Sequence, residues 1–139
     1  MATLALGGGM SLILVADVPS MDARYSAALA GWTLAFARTM SEARATLAAQ
    51  RCAAVVIGVY FDDSQMFDLV RSIRADDFQN EVPIVCVRGS PGYTAVTTHA
   101  LEMAVKALAA DAFVDLLHFA DVQAGDAALR ATVQRYVKA

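Results

Sequence analysis

The sequence predicts an α/β fold in which a parallel sheet is covered by helices on both faces. Two observations predict it: short, continuous apolar runs recur along the chain, and segments with apolar residues at helical spacing separate them. A strand that is apolar throughout is typical of a parallel sheet buried on both faces. At 139 residues the chain accommodates one such domain. The flavodoxin-like three-layer arrangement, with five parallel strands in the order 2-1-3-4-5, fits this length best.

Five strands are predicted from the apolar runs. Polar residues, glycine or proline lie near the ends of these runs and mark the loops. The third run is the most hydrophobic and is rich in valine and isoleucine, so we place it at the centre of the sheet. The predicted strands are Ser11–Ala16, Trp32–Ala37, Cys52–Tyr60, Val82–Val87 and Ala112–Leu117.

Five helices are predicted, and several of them have end signals. Gly31 ends the first helix. Thr39, followed three residues later by Glu42, is a capping box that opens the second. Side-chain oxygens of Asp62–Ser64 are expected to cap the third helix, and Asp126 the last. The predicted helices are Met21–Ala30, Thr39 to about Gln50, a segment carrying Met66, Leu69, Val70 and Ile73, Thr94–Ala109, and a last helix with Leu129, Val133, Tyr136 and Val137 facing inward.

The composition excludes several classes of protein. Hydrophobic residues make up 58% of the chain and charged residues 18%, which excludes a disordered chain and supports a well-buried core. The longest apolar runs fall short of the roughly 18 residues that a membrane-spanning helix needs, and the start of the chain lacks the basic residues of a secretory signal. With a net charge of −3 and no basic stripe, a nucleic-acid surface is not expected.

The cysteines indicate the compartment. Cys52 and Cys86 both lie in apolar runs, which predicts buried free thiols in a reducing environment. We therefore expect a cytoplasmic protein. Met1–Met10 is expected to be a loose leader, followed by a single domain over Ser11–Ala139.

Several stretches of the chain match the pattern of one family. Ala53–Gly58 is an apolar strand, Phe67–Arg74 (FDLVRSIR) follows as a helix, and Val82–Val87 (VPIVCV) is the next strand. Response-regulator receiver domains have there an apolar strand ending in aspartate, a helix of the type LELLRRIR, and then VPIIVLT. Ala110–Val114 is similar to the GADDYLV run that enters their fifth strand. Over nearly its whole length the chain therefore resembles a receiver domain.

The resemblance implies a phosphoryl-accepting pocket at the carboxyl ends of the strands, but most of its chemical groups are missing. In receivers an aspartate ending strand three accepts the phosphoryl group, and two acids after strand one help it to hold Mg²⁺. A Thr or Ser ends strand four and a Lys ends strand five. Those positions fall on Gly58, on Ala16 and Asp17, on Arg88, and on Leu116. Asp17 alone is a poor Mg²⁺ site, so the resemblance implies a degenerate receiver without ordinary aspartyl phosphorylation.

Four charged side chains near this pocket have two interpretations each. Asp17 either belongs to the pocket or starts the loop and caps the next helix. Asp62 and Asp63 either replace the lost acceptor or cap a helix. Arg88 either ends a strand in water or stands in for the lost lysine as a fixed cation. In the latter case it pairs with Asp17 or Asp62 and locks the pocket without a phosphate.

No catalytic, metal or cofactor site is predicted. His99 and His118 have no cysteine or paired acid at metal-ligand spacing. None of the serines lies in a nucleophile elbow. Gly7–Gly9 precedes the first strand instead of following it, and Pro91 removes an amide donor from the loop after the fourth strand. Neither glycine-containing segment therefore predicts a phosphate-binding loop.

The fourth helix, Thr94–Ala109, carries apolar residues around most of its circumference, which is typical of a buried helix or of one that meets a partner. In the family that the chain resembles, helix four, strand five and helix five form the usual partner or dimer face. A merely alanine-rich solvent face is the alternative. At least one leucine or methionine of the helix should face outward. The predicted contact residues are Leu101, Met103, Leu108, His118 and Tyr136.

These observations favour a non-phosphorylatable receiver-like module of a bacterial signalling or regulatory system that binds another protein or a second copy of itself. Two alternatives stay open. One is a small enzyme or ligand-binding domain on the same fold, because this architecture hosts many functions. The other is an atypical receiver phosphorylated at Asp62 or Asp63. No membrane or nucleic-acid partner is expected.

Overall fold

The computed structural model describes residues 11–90 and 97–137. Five parallel strands form one sheet in the order β2-β1-β3-β4-β5, which confirms the predicted topology. All five residues of the central strand, β3, are buried, in keeping with its high hydrophobicity. The strands are β1 Leu12–Ala16, β2 Thr33–Ala37, β3 Ala54–Gly58, β4 Ile84–Arg88 and β5 Ala112–Asp115.

Helices cover both faces of the sheet, as predicted. One face packs against α2, α3 and α4 in a core that includes Leu69 and Val105. The other face packs against α1 and α5 around Tyr25 and Leu129. Short 3₁₀ turns cover Pro19–Met21 and Leu116–His118. The helices are α1 Asp22–Ala28, α2 Met40–Ala49, α3 Met66–Arg74, α4 Thr98–Ala107 and α5 Val122–Gln134.

Some element boundaries differ from the predictions. The fifth strand ends at Asp115 instead of Leu117, because the chain turns into a 3₁₀ turn at Leu116. Helix α4 begins at Thr98, and the predicted start at Thr94 lies outside the described residues. Residues 1–10 also lie outside them, so the leader stays a prediction.

One predicted helix cap is confirmed and another is wrong. At α2 the Thr39 hydroxyl accepts a 3.1 Å hydrogen bond from the amide of Glu42. The Glu42 carboxylate in return accepts one of 2.7 Å from the amide of Arg38. At α5 the cap is Asp121, whose carboxylate accepts a 2.7 Å bond from an amide in the first turn. Asp126 lies inside the helix, where an N-cap role is impossible.

The loop after β3 forms a left-handed turn that no sequence pattern indicates. Asp62, Asp63 and Ser64 have φ angles of 44°, 56° and 64°, in a region where aspartate is tolerated better than most residues. The turn aims the Asp62 carboxylate at α2, where it accepts a 2.9 Å hydrogen bond from the amide of Met40. Gln65 precedes α3 without any side-chain cap, so the predicted capping of α3 by Asp62–Ser64 is wrong.

The described part of the chain contains no helix that is both long and apolar enough to span a membrane. Cys52 and Cys86 are buried free thiols, as predicted. Burial raises the pKa of the Cys86 thiol to about 12, so this group stays protonated and unreactive near neutral pH.

Candidate functional site

The candidate site lies at the carboxyl edge of the sheet, where parallel strands present their last residues side by side. Asp17 directly follows β1, Gly58 ends β3, and Arg88 ends β4. The strand register places Arg88 opposite Asp115, the last residue of β5. The edge therefore brings together the positions at which the resemblance implies a phosphoryl pocket, together with Asp115, a strand-end residue to which the sequence assigned no role.

The Asp17 carboxylate occupies the space above Gly58. A Cβ atom built on Gly58 would lie 2.0 Å from Cγ of Asp17 and 2.1 Å from each carboxylate oxygen. Real Cβ atoms essentially never approach another heavy atom so closely. A glycine in a strand often marks such a close approach. The position at which the resemblance places the phosphoryl acceptor thus lacks a side chain, and a neighbouring carboxylate fills the space that such a side chain needs.

Two hydrogen bonds hold this carboxylate in place. The Tyr25 hydroxyl donates to Oδ2 of Asp17 at 2.5 Å, and the Val18 amide donates to Oδ1 at 2.7 Å. Asp17 is only 4% exposed, and burial raises its pKa above the usual value although both hydrogen bonds favour the ionised form. Tyr25 is fully buried, and burial together with the nearby Asp17 raises the pKa of its hydroxyl well above the usual value.

These contacts test the two interpretations of Asp17. Neither the Pro19–Met21 turn nor α1 has a side-chain cap, so the capping interpretation is wrong. The Asp17 carboxylate is instead buried beside Gly58 and bonded to the Tyr25 hydroxyl, so its place in the pocket that the resemblance implies stays a prediction. The helical spacing predicts that Tyr25 faces inward, but it does not predict this contact.

An Arg–Asp pair borders the pocket on the side of β2. The guanidinium of Arg38 binds both carboxylate oxygens of Asp22, with Nη1 at 2.8 Å from Oδ1. The same Nη1 lies 3.5 Å from the carbonyl oxygen of Asp17. This pair was not predicted, because the two residues are 16 positions apart and lie in elements that meet only in the fold.

Arg88 forms a second, partly buried side-chain cluster on the other side of the pocket. Its Nε lies 3.0 Å from Oδ2 of Asp115, and Nη2 also binds that oxygen. Nη2 donates to the Thr98 hydroxyl at 3.0 Å, and that hydroxyl donates to Oδ2 of Asp115 at 2.6 Å. The amide of Leu117 donates to Oδ1 at 3.0 Å. The expected pairing of Arg88 with Asp17 or Asp62 is therefore wrong; its carboxylate partner is Asp115.

The Arg88–Asp115 pair is largely removed from water. The side chain of Arg88 is 16% exposed and that of Asp115 is 4% exposed. Burial disfavours the charged form of Asp115, but the hydrogen bonds from Arg88, Thr98 and Leu117 outweigh it and lower the pKa of the carboxyl below its usual value. Both partners are therefore charged at neutral pH.

The other predicted pocket residues lie elsewhere or are apolar. Asp62 contacts the start of α2, and Asp63 is exposed to solvent. Leu116, at the position of the receiver lysine, is 3% exposed and belongs to the core on the α1–α5 face. Within residues 11–90 and 97–137, no group of three or more His, Cys, Asp or Glu side chains is arranged to hold a metal ion.

Only some of the predicted contact residues are exposed. Met103 is 60% exposed, whereas Leu101 is 7% exposed and Leu108 packs against the core. Leu101 is therefore wrong as a contact residue, because it faces the protein interior, and Leu108 is largely unavailable for the same reason. His118 is exposed, and Tyr136 is 39% exposed.

Three further apolar side chains on this side were missed. Leu117, Phe119 and Val122 are 45%, 37% and 58% exposed and connect β5 to α5. The sequence placed Leu117 in a buried strand, so only the turn at its position exposes it. A cleft of about 200 Å³ lies between α4, β5 and α5, lined in part by Phe119 and His118.

Comparisons by sequence find no relatives. No protein-family model matches the chain, and no curated protein matches it.

Solved structures are similar in fold. The chemotaxis response regulator CheY4 of Vibrio cholerae is 23% identical, with a TM-score of 0.71 over 93% of this chain and 100% of that one. The phosphorylated cyanobacterial phytochrome response regulator RcpA is 13% identical, with a TM-score of 0.76 over 94% and 96% of the two chains.

A receiver domain of a sensor histidine kinase from Pseudomonas aeruginosa, with Mg²⁺ in its active-site cleft, is 20% identical, with a TM-score of 0.70 over 94% and 99% of the two chains. At these identities the similarity establishes architecture. The chain has the fold of response-regulator receiver domains, as the resemblance predicts.

Proposed function

We propose that this chain is a receiver-like protein-interaction module of a bacterial signalling or regulatory system and that it acts without aspartyl phosphorylation. The observation that carries the proposal is the Asp17 carboxylate packed directly over Gly58. A phosphoryl group needs an acceptor carboxylate and a pocket that admits it, and both are missing at this position. The receiver fold supports a place in two-component signalling.

The surroundings of Asp17 and Arg88 support the same proposal. Receivers are found phosphorylated and with Mg²⁺ in the cleft among the similar structures. The carboxylate above Gly58 is buried and bonded to Tyr25, and Arg88 is bonded to Asp115. An Mg²⁺ ion prefers a shell of six oxygens that includes water and phosphate, and a single buried carboxylate that is already bonded to Tyr25 is a poor ligand for it.

The surface that we propose for partner binding is formed by α4, β5 and α5 and is defined by its exposed apolar residues. Large exposed apolar side chains are candidate contact positions. An interface of ordinary size buries about 800 Å² on each partner. The occupant is a regulatory protein or a second copy of the chain. The defining residues are Met103, Leu117, Phe119, Val122 and Tyr136.

Exposure to a small-molecule phosphodonor tests the absence of phosphorylation. The chain is incubated with acetyl phosphate or phosphoramidate and Mg²⁺, beside an active receiver as a positive control, and its intact mass is measured. We expect an unchanged mass, because no carboxylate stands at position 58. An adduct mapped to Asp62 or Asp63 would instead establish the atypical receiver.

Gly58→Asp alone should also fail to restore switching, since Arg88 and Leu116 lack the hydroxyl and ammonium that bind the phosphoryl group.

A charge placed on the proposed surface tests the interaction. Met103→Glu should weaken association, because it places an unpaired carboxylate in the contact. Light scattering over a range of concentrations measures self-association, and retention of co-purifying protein measures association with a partner. Phe78→Glu is the matched control, since Phe78 is 85% exposed but lies in the loop before β4 at the opposite edge of the sheet. Equal effects of the two substitutions, or none from either, would contradict the proposed surface.

A further inference from the structure

We infer that Arg88, Asp115 and Thr98 form a permanent lock that positions α4 and thereby holds the α4–β5–α5 surface in one state. The inference deepens the proposed function, because it names how that surface is controlled and rests on its role as a binding surface. The three groups link the pocket to the surface through direct side-chain bonds.

The lock joins three separate elements. Arg88 is the last residue of β4, Asp115 is the last residue of β5, and Thr98 is the first residue of α4. The Thr98 hydroxyl both accepts from Arg88 and donates to Asp115, so it cannot leave without breaking two hydrogen bonds. The first turn of α4 is thus tied by its side chain to the ends of two strands.

Neighbouring contacts show why the Thr98 hydrogen bonds fix the whole of helix α4. Helix α4 packs on the core through Leu101 and Val105, which lie one and two turns beyond Thr98. Thr97 caps the helix by accepting from the amide of Ala100 at 3.1 Å, so it stabilises the helix itself and not its attachment to the sheet. The Thr98 link and the apolar packing together place Met103 on the outer side of the helix.

Charge and burial make the lock permanent. One oxygen of Asp115 accepts from three donors, and the other accepts from the amide of Leu117. A guanidinium stays charged throughout the physiological range, and removing one partner of a largely buried pair leaves an uncompensated charge behind. Arg88 therefore occupies the position of the receiver hydroxyl while supplying a cation that already has its anion within the protein.

Hydrogen exchange of the α4 amides tests the lock. Thr98→Val removes the linking hydroxyl at nearly constant volume, and Arg88→Met removes the cation. In both variants we expect exchange at the amides of Leu101 and Val105 to be about tenfold faster, while the amide of Ala43 in α2 is unchanged. Thr98→Ser keeps the hydroxyl and should restore slow exchange.

The control uses a partly buried Arg–Asp pair that joins α1 to α5 on the other face of the sheet. Arg24 and Asp126 lie 2.8 Å apart, and the side chains of both are 20% exposed. Arg24→Met should leave exchange in α4 unchanged. Unaltered α4 exchange in both lock variants, or an equal rise in Arg24→Met, would overturn the inference.

Measurements of association distinguish a failure of the lock from a failure of the proposed function. If the surface binds a partner, Thr98→Val should weaken association by a factor similar to the factor by which it accelerates α4 amide exchange. Thr98→Ser should restore association. If the wild-type chain shows no association and Met103→Glu changes nothing, the proposed function fails. The exchange comparison still decides the lock in that case, because it requires no partner.

Discussion

Replacing Gly58 with alanine probes the filled pocket directly. A Cβ atom at this position would lie 2.0 Å from Cγ of Asp17, so the carboxylate must move and lose its hydrogen bonds to Tyr25 and Val18. Hydrogen bonds to a charged group contribute about 1.5–3 kcal/mol each. Because the displaced carboxylate regains some hydration, we expect Gly58→Ala to lower the free energy of unfolding by about 3 kcal/mol.

A double-mutant cycle isolates the cause. In an Asp17→Ala background the space above Gly58 is open, so the same substitution should cost about 1 kcal/mol or less, which gives a coupling energy of about 2 kcal/mol. Urea unfolding followed by circular dichroism near neutral pH measures each free energy. If Gly58→Ala costs the same in both backgrounds, the carboxylate does not fill the site and the reasoning is refuted.

A carboxylate at the other edge of the sheet provides the control for this cycle. Asp111 precedes β5 and accepts a 2.8 Å hydrogen bond from the amide of Ile84 at the start of β4. Because Gly58 lies at the opposite ends of the strands, Asp111→Asn and Gly58→Ala should be additive within about 0.5 kcal/mol.

The two buried carboxyls give pH dependences of opposite sign. Burial raises the pKa of Asp17, so its contribution to stability falls as pH rises through the folded pKa. The stability of Asp17→Asn relative to wild type should therefore rise between about pH 4 and neutrality. The pKa of Asp115 is lowered, so its contribution is present above the usual pKa and is lost as pH falls through the folded pKa. The destabilisation by Asp115→Asn should accordingly be largest near neutral pH and shrink in acid. Urea unfolding at a series of pH values measures both effects, and identical pH profiles of wild type and both variants would contradict them.

The sheet could be predicted from the sequence because burial on both faces requires apolar residues along the whole strand. A strand such as Ala54–Gly58 has no solvent side, so its residues are apolar throughout, and the order of elements then restricts the topology to few choices. The absence of a side chain at position 58 also follows from the sequence alone, and that this removes the phosphoryl acceptor stays a prediction. Helix ends were less predictable, because Asp121 and Asp126 are equally good capping residues in isolation.

The tertiary structure decided which side chains meet. Arg88 and Asp115 are 27 positions apart, and only the parallel register of β4 and β5 sets them side by side. The rotation of α4 buries Leu101 and exposes Met103, although both are apolar residues of one helix. The sequence by itself determined a buried parallel sheet and the lack of a side chain at position 58, because hydrophobic pattern and residue identity are local properties. The partner of Arg88, the carboxylate over Gly58 and the exposed side of α4 depend on packing between distant segments, which only the fold determines.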